Sequence, residues 1–245
     1  MNPSDIPPTV QVLGHSVAAV SMTAAIDWTI RRAGSALPAA LVVTLNPEIV
    51  IQARTDRALA TALEGAELTV ADGVGVLWAA RRAGHDLPGR VPGVELATGV
   101  LEQAGPDLRV FFLGARPGVA ERAAAHAHSN WGTTVAGHAH GYFDRQTEAA
   151  EIVRQVADSG AQLLLGALGE GQERFLFEHM QQMGVRVAIG VGGTLDVLAG
   201  EVERTPAWTR KLGVEWLWRV GSDRRRWHRF PRLLSFARLV ISGKS

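Results

Sequence analysis

Asp72 stands between a short β-type run, with Leu68 and Val70, and a segment opened by Gly73 and Gly75, in which Val74, Leu77 and Trp78 follow at helical spacing. A carboxylate at a strand-to-helix junction lies where α/β proteins hold their ligands. As a general base it would take a proton from an attacking hydroxyl. As an ordinary helix N-cap it would only satisfy backbone N–H groups. Two details argue for more than a cap. Gly75 at N3 leaves no capping-box partner, and each glycine so early in a helix costs about 1 kcal/mol relative to alanine. The pattern predicts a close approach to this stretch of backbone.

Polar residues recur after other strand-like runs: Thr44 and Asn46, Gln172 and Glu173, then Gly192, Gly193 and Asp196. Each has an ordinary use in a turn or a first helical turn. In a parallel sheet, however, all of these ends share one edge, beside helix N-termini that favour anions. A nucleotide-sugar or dinucleotide site is the chemistry this arrangement predicts. Other classes fall away. There is no GxxxxGK[ST], and LLLGALGEGQE holds only G-x-G of a dinucleotide fingerprint. Neither Asp-x-Asp nor HExxH occurs. The pairs His126/His128 and His138/His140 would suit a metal on strands, but read as solvated loop residues. No metal site and no cofactor are expected.

The elements that must position these groups are legible. Short apolar runs alternate with helical segments, the sequence form of an α/β domain with a parallel sheet covered on both faces. Strands are predicted near Val10–Leu13, Ala40–Leu45, Leu68–Val70, Arg109–Leu113, Thr133–Ala136, Gln162–Leu165 and Arg186–Gly190. Residues 1–8 form a loosely attached lead, 9–203 the sheet domain and 204–245 a helical appendage. In that appendage Trp208, Leu212, Trp216 and Val220 recur every four residues. Phe230, Leu233, Leu234, Ala237 and Ile241 make a second stripe, with Arg225, Arg229 and Arg232 on another face.

Composition sharpens this division. The chain of 245 residues is 47% hydrophobic and has no cysteine, which excludes disulfides and cysteine nucleophiles. No apolar run approaches the ~20 residues of a membrane span, and MNPSDIPP lacks the features of a secretory signal. A cytoplasmic setting is the expectation. The net charge of +1 conceals an imbalance: residues 1–203 carry 14 Lys+Arg against 22 Asp+Glu, whereas 204–245 carry 11 against 2, with four of the seven tryptophans. The tail therefore seeks an anionic partner, a membrane surface or a phosphate. Nucleic acid fits poorly, because the tail has no reading motif and the body is acidic.

TLNPEIV, VADGVGVLWAARRAG, LPGRVPGVEL, VFFLGARPGVAERAA and IGVGGTLDVLAGEVERTPAWTRKLGVEWLWR together resemble the WecG/TagA/CpsF glycosyltransferases. The likeness runs from about Leu41 to Trp227. It implies a variant Rossmann-like domain with a C-terminal helical appendage. It also implies a metal-independent, inverting enzyme that moves N-acetylmannosamine, its uronic acid or a related hexose from a UDP donor. The implied acceptor is a sugar on an undecaprenyl-type diphosphate lipid, at the inner face of the cell membrane, in cell-surface polysaccharide synthesis.

By this resemblance Asp72 matches the catalytic base and Arg90 an arginine needed for activity. Thr44, Asn46 and Gln172 belong to the pocket, Asp196 to its uridine side, and Arg219, Arg226 and Arg229 to a clamp over the donor diphosphate; Gly192 and Gly193 are added to the binding residues from their place at a strand end. Without a metal, arginines and backbone N–H groups must stabilise the leaving UDP. A helix start also favours an ionised carboxylate, which works against a base at Asp72. The family's Gly-x-Pro-x-Gln-Glu element is here GEGQE, one residue shorter and without proline. The competing reading is a non-catalytic nucleotide-binding module docked to an anionic membrane surface. Homo-oligomerisation stays open.

Overall fold

The structure, a computed structural model, describes residues 6–202 and 230–243. The described chain opens with a hairpin of β1 (Thr9–Val12) and β2 (His15–Ala18), paired antiparallel. Leu13 and Gly14 at its turn take φ of 50° and 82°, the left-handed geometry that matches the twist of the two strands. The sequence marks the first of these strands; HSVA is too short and too polar to mark the second. Next comes α1 (Met22–Ala33), where Ser21 Oγ accepts from Ala24 N at 3.2 Å. β3 (Ala40–Leu45), α2 (Pro47–Ala53) and α3 (Arg57–Glu64) follow, with Pro47 at the first helical position where its missing N–H is not needed.

β4 (Leu68–Ala71) leads to α4 (Val74–Arg82) and α5 (Gly93–Ala104). The alternation then runs through β5 (Arg109–Gly114), α6 (Val119–Trp131), β6 (Thr134–Ala139) and α7 (Ala149–Ser159). It ends with β7 (Leu163–Ala167), α8 (Gln172–His179), β8 (Val187–Gly190) and α9 (Thr194–Leu198). The last described helix is α10 (Phe230–Ser242). Apart from the hairpin, the predicted elements that lie within the described residues fall within about one turn of those observed.

Six strands form one sheet in the order β4-β3-β8-β7-β5-β6, every pair parallel. Alternate residues of each strand feed opposite cores. Leu41, Val43 and Leu45 face one, while Ala40 and Val42 face the other. Trp28, Leu96, Ala123 and Leu195 close the second core from α1, α5, α6 and α9. Val50, Leu59, Val76, Ile152, Leu176 and Phe236 close the first, from α2, α3, α4, α7, α8 and α10. The result is the expected three-layer α/β architecture with a Rossmann-like parallel sheet and a C-terminal helix.

The C-terminal helix corrects the predicted stripe. Among its described side chains, Phe236 and Val240 are the buried apolar ones, whereas Leu234 and Ile241 are 47% and 63% exposed; the side chain of Phe230 lies outside the described ones. The partner decides the face: α10 packs along α2, and Arg232 bridges Glu48 at 2.9 Å and Glu170 at 3.1 Å. Arg232 thus belongs to the docked side of the helix and not to a solvated basic face. The stretch with Trp208, Leu212, Trp216, Val220, Arg225 and Arg229 lies outside the described residues. Among the described residues no helix is long and apolar enough to cross a membrane.

Candidate active site

With every strand parallel, the carboxyl ends of the sheet share one edge, and the strand-end residues meet there. Asp72 follows β4 directly; its backbone N–H donates to Leu45 O at 2.8 Å and so extends the ladder to β3. Its side chain does not cap α4. Gly73 holds that cap position with φ 91°, and α4 has no side-chain capping bond. Asp72 Oδ2 instead accepts from the backbone N–H of Gly93 at 3.3 Å, at the first residue of α5. The α5 cap position is Pro92, which makes no side-chain capping bond. The carboxylate therefore faces the positive end of a different helix from the one the sequence suggests.

Arg90 arrives beside this junction through the backbone. Val91 N donates to Ala71 O at 2.7 Å, so the residue after Arg90 is pinned to the last residue of β4. The two early glycines of α4 have different causes. Gly73 has open space where a side chain would be. At Gly75 a Cβ would lie 2.6 Å from Pro47 Cγ and 3.3 Å from Phe236 Cε1. Protein, not a ligand, makes the close approach at Gly75.

A chain of contacts joins Asp72 to the middle of the sheet. Gly93, which donates to Asp72, lacks a Cβ that would sit 3.1 Å from Thr44 Oγ1. Thr44 is buried, and its Oγ1 donates to Gly190 O at 3.2 Å. Across Gly190 lie the first two side chains of α8: a Cβ there would be 2.9 Å from Gln172 Nε2 and 3.2 Å from Glu173 Oε1. Gln172 and Glu173 are 6% and 4% exposed. Gln172 Nε2 donates to Glu173 Oε1 at 2.8 Å, while Gln172 Oε1 is buried without a hydrogen-bond partner. Burial pushes the Glu173 carboxyl up from its ordinary value, against the opposing bond from Gln172 and the charge of Arg145.

The structure thus joins Thr44, Asp72 and Gln172, with Arg90 tethered alongside. Asn46 caps α2, its Oδ1 accepting from Glu48 N at 3.0 Å and Ile49 N at 3.1 Å. Its Nδ2 group takes no part in these capping bonds. Gly192, with φ 52°, and Gly193 form the turn after β8. Asp196 is half-buried in the first turn of α9, and its carbonyl accepts from Glu201 N at 2.9 Å. Arg219, Arg226 and Arg229 lie outside the described residues.

Sequence reasoning placed Glu173 among the strand-end polar groups but gave it no role, and it missed Gly93 and Gly190. A proline–glycine pair opening a helix was the available signal for Gly93. The histidines differ from expectation as well: His126 and His128 are on α6 and His138 on β6, not in loops. Among the described residues no three His, Asp or Glu side chains are grouped to hold a metal ion.

The shortened GEGQE loop is held by an arginine from outside it. Arg145, between β6 and α7, donates to Leu168 O at 2.7 Å and Glu170 O at 3.0 Å. Its guanidinium also stands 5.9 Å from the centre of the Phe175 ring. Gly169 and Gly171 take φ of 71° and 77°, which lets the loop turn tightly into α8. On the outer side of this loop is a groove of about 370 Å³ against α2 and α3. The charges on its wall satisfy one another, Arg174 with Asp56 and Arg232 with Glu170. None of Thr44, Asp72, Arg90 and Gln172 lines it.

A family model described as "Glycosyl transferase WecG/TagA/CpsF family" matches residues 10–245. The chain is 36% identical over 196 residues to N-acetylglucosaminyldiphosphoundecaprenol N-acetyl-beta-D-mannosaminyltransferase of Staphylococcus aureus strain MRSA252, covering 79% of this chain and 75% of that protein. Proteins of the same name from strains MW2 and NCTC 8325 / PS 47 match with the same identity and coverage. A match over almost the full length, joined to a parallel sheet with Asp72, Thr44 and Gln172 at its carboxyl edge, means that the chain belongs to the WecG/TagA/CpsF family of glycosyltransferases.

Proposed function

We propose that this protein transfers a sugar, N-acetylmannosamine or a close relative, from a UDP donor to a sugar carried on a polyprenyl diphosphate, with inversion at the anomeric carbon and without a metal ion. The observation that carries this reading is the convergence of Asp72, Thr44 and Gln172 on one sheet edge through Gly93 and Gly190. The activity named for the Staphylococcus aureus relatives supports the acceptor chemistry and the mannosaminyl group. In this reading residues 9–203 bind and react the substrates, while 204–245 serve the diphosphate and the inner membrane surface.

Asp72 takes the proton of the acceptor hydroxyl as its oxygen attacks the anomeric carbon. The bond from that carbon to the diphosphate oxygen breaks, and UDP leaves with the electron pair. Arg90 and the backbone N–H groups at the helix starts face the negative charge that develops. Thr44 and Gln172 orient the sugars, Asn46 offers its amide, and Gly192, Gly193 and Asp196 form the uridine end. Arg219, Arg226 and Arg229 close over the diphosphate. Asp72 has to combine basicity with a hydrogen bond from the start of α5. The same bond fixes the carboxylate in one orientation, and orientation of the reacting groups is itself a large part of catalysis.

The test is UDP release from a panel of UDP-sugars, with and without a short-chain lipid-diphosphate sugar. Release is expected only when donor and acceptor are both present. Asp72→Asn is expected to keep donor binding and lose transfer by at least ~100-fold, within the span attributed to a positioned base. Unchanged transfer would remove Asp72 from the role of base. Donor binding with no transfer in the wild-type protein would favour a non-catalytic nucleotide-binding module.

A further inference from the structure

Gln172 Oε1 is a buried acceptor without a partner. Such an atom forfeits its hydrogen bonds to bulk water and regains them only from an ordered water or a ligand that supplies a donor. The other end of the same carboxamide is engaged, because Nε2 donates to Glu173 Oε1 at 2.8 Å. The Glu173 oxygen that Nε2 meets is an acceptor, and this contact dictates which way the carboxamide points. Both side chains lie over Gly190, whose missing Cβ gives them room, and the carbonyl of Gly190 is held by Thr44 Oγ1 at 3.2 Å. Around Glu173 stand Arg145, from the segment that braces the GEGQE loop, and Glu48 at the start of α2.

We propose that Glu173 is the positioning residue for Gln172: it locks the carboxamide with Nε2 inward, so that Oε1 is presented to an O–H or N–H donor on a sugar substrate. This rests on the glycosyltransferase reading above. Glu173 does not touch substrate; it selects what Gln172 offers. Without that lock the carboxamide is free to turn over and present two N–H donors where the ligand needs an acceptor. The pair then discriminates between sugars by whether a donor group stands opposite Oε1. A site built to pair with a substrate group rejects analogues that lack it far more strongly than an apolar pocket does.

A double-mutant cycle on the full chain tests this, with the KM for each sugar substrate, kcat and the thermal midpoint measured for every variant. Gln172→Ala and Glu173→Leu are each expected to raise the KM for one sugar substrate about tenfold, with a smaller effect on kcat. The double variant is expected to lose about tenfold as well, not the roughly hundredfold of two independent sites. Glu173→Gln, which keeps an acceptor at the same reach, is expected to stay within about threefold of the wild type, as one hydrogen bond is retained. Should Glu173→Leu fail to fold, Glu173→Asp, which withdraws the carboxylate by one methylene, replaces it in the cycle. Multiplicative losses, or equal losses for the Gln and Leu variants, overturn the inference while leaving the transferase reading intact. Absence of transfer by the wild-type protein overturns both.

Discussion

A carboxyl group packed against Gly190 and shielded from water carries a stability consequence separate from any chemistry. Burial raises the folded-state pKa of Glu173 above its ordinary value of 4.5, with Glu48 adding to the rise and Gln172 and Arg145 opposing it. A group raised in this way supports the fold fully below its unfolded pKa, and that support is lost as pH climbs through the folded value. Glu173→Gln removes the titration while keeping size and hydrogen-bonding capacity. The variant is therefore expected to match the wild type near pH 4.5 and to melt progressively higher than it as the pH rises towards neutrality. Thermal unfolding followed by circular dichroism at several pH values reads this directly. A constant gap across the series would mean that Glu173 is not the group being titrated.

Among the elements, the start of α4 shows what a sequence can and cannot announce. Gly75 fits under Pro47 and Phe236, where a methyl group would overlap Pro47 Cγ at 2.6 Å. Gly75→Ala is expected to lose about 1–3 kcal/mol through overpacking, which for a chain of this size lowers Tm by roughly 2–4 °C per kcal/mol. Calorimetry checks it, and an unchanged midpoint would show that Pro47 and α10 yield easily. The two glycines were visible as exceptions to helix propensity, but their causes were not, because Phe236 is 161 positions away in the chain. The central strands were legible for a simpler reason. Runs such as ALVVTL are buried on both faces, so they read as continuous apolar segments whatever packs on them. The inward face of α10 was not legible, since two neighbouring stripes were available and only α2 could choose between them. Asp72 shows the same limit at a smaller scale: its place at a strand end was readable, and its partner, the N–H of Gly93, was not.

For the whole molecule, the C-terminal helix is part of the same core as the sheet domain that precedes it in sequence. Phe236 and Val240 are 3% and 2% exposed, and Arg232 ties α10 to Glu48 and Glu170. A chain ending at Val202 is accordingly expected to melt lower by roughly 6–24 °C, given about 1.5–3 kcal/mol for each of the burials of Phe236 and Val240 and the scaling of Tm with domain size. Differential scanning calorimetry of the shortened chain tests this; an unaltered midpoint would make α10 energetically separate. Point variants at Arg219, Arg226 and Arg229 are the cleaner probes of the tail's proposed chemistry, because they keep Phe236 and Val240 in the chain. The strand order has a consequence for biosynthesis. β4 and β3 form one ribbon, β7, β5 and β6 another, and β8 alone is bonded to both. Asp72 and Thr44 stand on the first ribbon, Gln172 follows the second, and Gly190 ends the seam. During translation these two ribbons have no common edge until residue 190 has left the ribosome. Pairing over such long separations is slow, so a nascent chain can carry every one of these side chains and still have no pocket.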